Sequence, residues 1–445
     1  MKPIKSNRRS TGIQRIDLAY AKLASSHVAR DINRDVVLEL IRTRQPVSRA
    51  DLARISGLQP STVSAIAEQL IEEKWVTEGA AAKRPRGRRP TLLSLNGNMV
   101  ILVADIRPNQ AIAAVIDLNG RFLERQTLPL VADPERGVQV LIDCMKRMLA
   151  NHAERSVEGI GLSLPGRVDP MKQTLILSPN LPWSGYDIKG AIEKEIALQV
   201  EMDNAANACL LSELWFGRMN GIRDAALVTI SEGVGTAILA NGLLVTGRAG
   251  LAGEFGHIPL DPSGPKCSCG RSGCWEVYAS SRAALKYFAE LRPSDARLTI
   301  FELINLAENE DADAITALNR QASFLGKGLR MITTALSPEV ILLTGGLTSS
   351  WSRFGPLVEA ELAESMLGTT PPRIEVTADV ELARLRGAAA LVLQRHSGAK
   401  RSMTDERKAK AVRARKSRAA APGASGSVAA KPNRRKDGVR FATRP

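Results

Sequence analysis

Residues 253–276 read GEFGHIPLDPSGPKCSCGRSGCWE. His257, Cys267, Cys269 and Cys274 fall within them in the pattern H-x9-C-x-C-x4-C. Three thiolates and one imidazole suit a tetrahedral Zn²⁺ ion. Four protein ligands leave no position open for water or substrate, so the pattern predicts a structural site rather than a catalytic one. Gly264, Gly270 and Gly273 let the chain turn tightly round the ion. The stretch is therefore expected to act as a clamp.

Outward from this loop the pattern is α/β. Upstream, MVILVAD from Met99 reads as a buried strand, and AIAAVIDLNG runs into a turn at Asn119-Gly120. RFLERQTLPLV returns as a third strand, a helix follows over about 135–152, and VEGIGLSLPG is again a strand. A second series repeats this order. ALVTIS and GTAILANGLLV are strands with a turn at Asn241-Gly242, helices cover about 281–291 and 311–335, and VILLTGG enters a glycine turn. Helices near 351–366 and 381–396 complete the body. Two hairpin-plus-helix halves predict two α/β lobes with a cleft between them. Cys144 and Cys209 lie in apolar helical contexts and are expected as reduced core residues.

Residues 29–96 follow another grammar. Val36, Val37, Leu40 and Ile41 have helical spacing, ending near Gln45-Pro46. Ser48 can cap a second helix with Asp51 at its fourth position, and Gly57 ends that helix. Pro60 opens a third, with Val63, Ile66, Leu70 and Ile71 on its buried face. Short strands at 75–77 and 91–95 flank a basic loop, KRPRGRRP, from Lys83 to Pro90. This order predicts a winged helix-turn-helix. Gln59, Ser61, Thr62 and Ser64 stand near the start of the third helix, where a recognition helix meets bases and phosphates. Arg86, Gly87, Arg88 and Arg89 suit an extended wing in a narrow minor groove. The alternatives are a three-helix interaction module without DNA and a solvated basic linker.

Charge sharpens the reading. The chain of 445 residues carries a net charge of +15. Residues 1–96 hold 18 Lys/Arg against 9 Asp/Glu, and residues 400–445 hold 15 against 3. The body between is mildly acidic, so the ends rather than the body are expected to meet a polyanion. Residues 398–445 lack the apolar content to offset ordering entropy and are expected as a disordered basic tail, with nonspecific phosphate attraction or no role at all. Residues 1–28 read as a flexible N-terminus. No apolar run reaches the ~18 residues of a membrane helix, and no signal peptide is apparent, so no membrane partner and a cytoplasmic location are expected.

GEFGH and CSCGRSGCWE together resemble the signature of the ROK family, which contains sugar kinases and sugar-responsive repressors. GLSLPGRVD and NLPWSGYDI are similar to the family's sugar-loop motifs, and the N-terminal module with GRRP resembles its repressor branch. The resemblance spans about residues 30–397. It implies an α/β protein with an N-terminal winged helix-turn-helix at 29–96. A two-lobed actin/hexokinase-like (ribonuclease H-like) body would follow at 97–397. It also implies that Asn204, Glu254, His257 and Glu276 line a sugar pocket, with Pro165 and Gly166 in a covering loop.

Phosphoryl transfer needs a proton acceptor for the sugar hydroxyl and loops that hold phosphates. In the kinases of the family the acceptor is the Asp of an Asn-Asp pair, eight residues before a helical Glu. Here that Glu is Glu213, and the pair reads Asn204-Ala205. A methyl group takes no proton. The first phosphate loop of the kinases resembles Asp-x-Gly-Gly-Thr, whereas this chain has Asp105-Ile106-Arg107-Pro108-Asn109. Gly233, Gly235, Gly345 and Gly346 remain, as turns needing positive φ would keep them. The sequence thus predicts a sugar-responsive transcriptional regulator with no catalytic residue and no ATP requirement. It would be a repressor of carbohydrate genes that binds an operator as a homodimer or homotetramer. An ATP-dependent sugar kinase with a fused DNA-binding head is the alternative. A DNA-binding scaffold that has lost its ligand is a third reading.

Overall fold

Side-chain shape at the chain's start sets three helices. In the computed structural model α1 spans Ser26–Arg44, α2 Arg49–Ser56 and α3 Pro60–Glu72. The structure describes residues 26–79, 91–178, 181–217, 219, 221–293, 298–364, 370–377 and 380–395. The Ser48 hydroxyl accepts from the Asp51 amide at 3.2 Å and caps α2, and Gly57 ends it at φ +72°. Gln59 precedes Pro60, whose fixed φ suits the first helical position. Strands β1 (Val47–Ser48), β2 (Val76–Gly79) and β3 (Leu92–Leu95) form a small antiparallel sheet in the order β1-β3-β2. The two-residue β1 was not anticipated from sequence. Residues 80–90, with Arg86, Gly87, Arg88 and Arg89, lie outside the described residues, as do residues 1–25 and the tail expected at 398–445.

The body holds two five-stranded sheets. In the first, β4 (Met99–Ile106), β5 (Gln110–Asp117) and β6 (Phe122–Pro129) run antiparallel. After α4 (Pro134–Asn151), β7 (Ser156–Leu164) pairs parallel with β4. A short hairpin, β8 (Arg167–Asp169) and β9 (Thr174–Leu177), and α5 (Ile188–Ile196) lead to β10 (Val200–Asn204), giving the order β10-β7-β4-β5-β6. Helix α6 (Ala205–Phe216) follows without a loop.

The second sheet repeats the plan. Strands β11 (Ala225–Ile230), β12 (Val234–Ala240) and β13 (Leu243–Leu244) run antiparallel. Helices α7 (Glu276–Ala279), α8 (Ser281–Leu291), α9 (Ile300–Glu308) and α10 (Ala312–Leu336) intervene. Strand β14 (Val340–Gly345) then pairs parallel with β11, and α11 (Trp351–Ala363) leads to β15 (Arg373–Val376) and α12 (Val380–Gln394). The order is β13-β12-β11-β14-β15.

Alternation along β4 explains why both sheet faces are covered. Val100, Leu102 and Ala104 join a core with α4 and α5, while Ile101 and Val103 turn toward α12. That second core also takes in Val37, Ile41, Leu52 and Leu70 of the N-terminal helices. The apolar interior is continuous from α1 to the body, and the described residues from Ser26 to Arg395 belong to one compact unit. Cys144 and Cys209 are fully buried, free thiols, as expected.

Candidate functional site

The metal pattern is drawn together. The ligand atoms of His257, Cys267, Cys269 and Cys274 lie within 4.8 Å of one another, so the four side chains could hold a metal ion. His257 Nδ1 is 3.5 Å from Cys267 Sγ, and Cys269 Sγ is 3.6 Å from Cys274 Sγ. Short backbone bridges, Pro259 to Cys274 and Lys266 to Ser272, tie the loop. Gly273 is required at the crossing: its φ is +68°, and a Cβ there would stand 1.5 Å from the Asp261 carbonyl. The loop is anchored from below by Trp275, fully buried, whose indole donates to the Phe324 carbonyl at 2.9 Å. Burial pushes the Cys267 thiol up and, with the neighbouring thiols, carries Cys274 to about 12. Burial also acts on Cys269, but the Arg271 amide and the two other thiols outweigh it and hold that thiol below its usual range.

Three of the residues expected at the sugar pocket meet at this loop. His257 turns its second nitrogen, Nε2, toward Glu254 Oε2 at 3.8 Å. Glu276 Oε1 lies 3.8 Å from Cys267 Sγ, and its Oε2 accepts from the Val234 amide at 3.2 Å. Burial pushes the Glu254 carboxyl up, opposed by the charges of His257 and Arg167. The other three residues sit on the first lobe. Asn204 ends β10 opposite Leu164, the residue before Pro165 and Gly166. Its side chain caps α6 by accepting from the Asn207 amide at 2.8 Å. Gly166 has φ +92°, and a Cβ there would lie 2.1 Å from the Leu177 carbonyl. The two segments meet where Gly250, four residues before Glu254, packs on the Val168 carbonyl, two residues after Gly166. Sequence reasoning passed over Arg167, in the middle of its own GLSLPGRVD motif.

The segment compared with the kinases' first phosphate loop differs in more than its missing glycines. Asp105 is fully buried and takes the Ser163 hydroxyl at 2.9 Å and Arg107 Nε at 2.8 Å, with Arg384 at 3.8 Å. Arg107 also reaches Glu381 at 3.6 Å. Asp105 and Arg107 are thus engaged in an ion-pair cluster with Arg384 and Glu381. The surviving glycines need a correction. Gly345 does have φ +142°, but Gly233, Gly235 and Gly346 do not adopt positive φ. Crowding explains these three instead. A Cβ on Gly233 would lie 2.1 Å from Glu276, one on Gly235 2.8 Å from Thr229, and one on Gly346 2.9 Å from Ile300. Asp203 is committed as well, taking the Asn207 side-chain amide at 2.9 Å.

At the N-terminal module, Gln59 and Ser61 are exposed, while Thr62 and Ser64 are half-buried rather than fully presented. Val63, Ile66 and Leu70 are buried as expected, with Ala67 completing the face and Ile71 at its margin. Arg42 of α1 donates to the Trp215 carbonyl at the end of α6 and stands 5.9 Å over its ring. Gln45 bridges β3 and the Asn119 turn, accepting from the Leu95 amide at 2.8 Å and donating to Asn119 Oδ1 at 2.7 Å. Beside these contacts is a mostly apolar cavity of about 190 Å³ lined by Leu38, Trp75, Leu95, Leu118, Trp215 and Leu393, among others.

The model of the ROK family matches residues 104–395. The chain is similar to the xylose repressor of Bacillus subtilis (strain 168), 32% identical over 332 residues, covering 74% of this chain and 85% of that protein. Among solved structures, it is similar to a ROK family transcriptional regulator described as a homolog of the E. coli MLC protein. The TM-score is 0.72 at 25% identity, covering 83% of this chain and 98% of that one. A ROK family glucokinase from Streptomyces griseus, in complex with glucose and AMPPNP, matches with a TM-score of 0.58 at 27% identity, covering 66% and 99%. The body therefore has the mixed α/β, hexokinase-like fold of the family.

Proposed function

The chain belongs to the ROK family, and from that premise we propose that it is a sugar-responsive DNA-binding repressor of carbohydrate uptake or catabolism genes. The observation that carries the reading is the fusion itself. A helical module with an exposed polar start to α3 shares one apolar core with a sugar-kinase-like body. In this reading residues 29–96 are a winged helix-turn-helix and residues 97–397 the effector body. Gln59, Ser61, Thr62 and Ser64 meet the major groove, and Arg86, Gly87, Arg88 and Arg89 of the wing enter the minor groove. Two or four copies of the chain place their heads on a two-fold operator.

The same reading makes the four-ligand loop a structural zinc site. A tetrahedron with ~2.3 Å Zn–S bonds has edges of about 3.8 Å. The S···S separation of 3.6 Å and the N···S separation of 3.5 Å are close to that edge. Its role is to hold Glu254, His257 and Glu276 for a sugar, with Asn204, Pro165 and Gly166 closing from the other lobe. Carboxylates and amides then pair with adjacent hydroxyls, the arrangement that separates epimers. A sugar that prefers one lobe closure shifts the heads only by its differential affinity for the two states. The body acts without turnover, because Ala205 offers no proton acceptor and Asp105 is held by Ser163 and Arg107.

The test is fluorescence anisotropy of the protein on its own upstream intergenic DNA, at fixed salt, with and without pentoses, hexoses, amino sugars and sugar derivatives. The expected outcome is specific binding that one sugar reverses. Gln59→Ala should weaken operator binding by roughly 1–3 kcal/mol and leave sugar binding intact. Release of ADP with a sugar, and no specific DNA complex, would favour the kinase reading.

A further inference from the structure

We propose that the joint between the N-terminal module and the body is a second ligand site, apart from the sugar pocket, and that its ligand is a small uncharged aromatic molecule of one or two fused rings. This site lies outside the regulator reading, and its test needs neither DNA nor sugar.

The site is the mostly apolar cavity of about 190 Å³ beside Arg42. Its walls come from the elements that meet there. Leu38 stands on α1, Trp75 follows α3, Leu95 ends β3, Leu118 follows β5, Trp215 is in the last turn of α6 and Leu393 in that of α12. None of the residues expected at the sugar pocket lines it. Trp75, Leu95, Leu118 and Leu393 are buried, whereas Leu38 and Trp215 are half-buried. The floor is therefore closed, and the mouth lies along α1 and the end of α6. An occupant would touch the module and the body at once.

Size and lining choose that occupant. A dry apolar cavity of roughly 150 Å³ takes a benzene ring. This one has room for a ring with a substituent or for two small fused rings, and it is too small for a helix. Water gains little against such walls, since it needs several polar partners. The two indole rings suit the face or edge of another ring. Charge at the mouth disfavours an anion. Asp35 and Glu39 stand there against one cation, Arg42. Each nitrogen of Arg42 already has an acceptor: Nε and Nη2 donate to Glu39 at 2.8 and 2.5 Å, and Nη1 donates to the Trp215 carbonyl. Asp35 lies 3.7 Å from the buried Arg34. A ligand carboxylate would meet two like charges and a guanidinium already engaged.

The experiment is calorimetric titration of the full chain with indole, indole-3-carboxylate, phenol and cyclohexanol. Indole should bind about tenfold more tightly than its carboxylate, and phenol about threefold more tightly than cyclohexanol. The binding enthalpy should become more negative on warming, the heat-capacity signature of apolar burial, and Tm should rise with indole concentration. Leu38→Trp, which brings its own ring to the wall, should weaken indole about tenfold, whereas Leu38→Ala, which widens the cavity, should still bind it. Melting curves establish that both variants keep the fold, and the ligand comparisons on wild type stand without them. No binding of indole, equal binding of indole and its carboxylate, or undiminished binding in a folded Leu38→Trp would overturn the inference. Binding recovered only on dilution would assign the cavity to a second copy of the chain. Binding recovered only after removal of residues 1–24 would assign it to the chain's own start. Either result overturns the inference.

Discussion

Asn204 and Ala205 sit where β10 becomes α6. Asn204 is kept by geometry, because its side chain satisfies an amide at the helix start that would otherwise have no partner. Ala205, the first residue of α6, makes no such bond. Placing a carboxylate there is a sharp test. Ala205→Asp should fold normally yet show no ATP-dependent phosphorylation of any sugar, because Arg107 and Asp105 stay engaged with each other. Detectable ADP release in a coupled assay would show that one carboxylate was all that catalysis lacked. At this scale the sequence was informative where a residue type has few uses, as with three cysteines in eight positions. It was uninformative where the reason is a neighbour in space. Nothing along the chain says that Gly233 yields to Glu276.

The elements divide in the same way. Strands β4 and β11 and helices α4, α8, α10 and α12 were legible, because long apolar runs and helical spacing leave little choice of period. The pair-lined β1, with two residues, and α9, with nine, were not. A two-residue strand exists only through its partner β3, and α9 announces itself chiefly by the Thr299–Glu302 capping box. Sheet order was also hidden, since parallel pairing of β7 with β4 and of β14 with β11 joins residues far apart in the chain. The loop from Glu254 to Glu276 has only a short turn at Phe255–His257 and two isolated bridges before α7, and the proposed ion carries its stability. Cys269→Ser should abolish stoichiometric zinc in the purified protein. A loss of roughly 3 kcal/mol would lower Tm by about 4 °C in a folded unit of this size. Chelation of wild type should reproduce the shift. An unchanged melting curve with full zinc removal would mean that the loop holds itself.

At the scale of the whole molecule, α6 runs from the Asn204 cap at the end of β10 to the contact with α1. Its twelve residues span ~18 Å, from the Asn204 cap to the Trp215 carbonyl that receives Arg42. A change of lobe closure that moves Asn204 has a stiff route to α1. Arg42→Ala should therefore leave sugar affinity unchanged but reduce the effect of sugar on operator affinity by about 1 kcal/mol, a fivefold factor. The readout is the anisotropy titration with and without effector; equal effector response in both proteins would place the coupling elsewhere. The shared core has another consequence, for descent rather than for mechanism. Val37, Ile41 and Leu70 are packed in one interior with Leu385 and Val392 from the far end of the body. An N-terminal module so embedded is no cassette. Recombination that exchanged it for a foreign one would leave mismatched apolar surfaces on both sides of the splice. New operator preferences in this lineage are therefore expected to arise by point changes on the outer face of α3, while the inner face stays as it is.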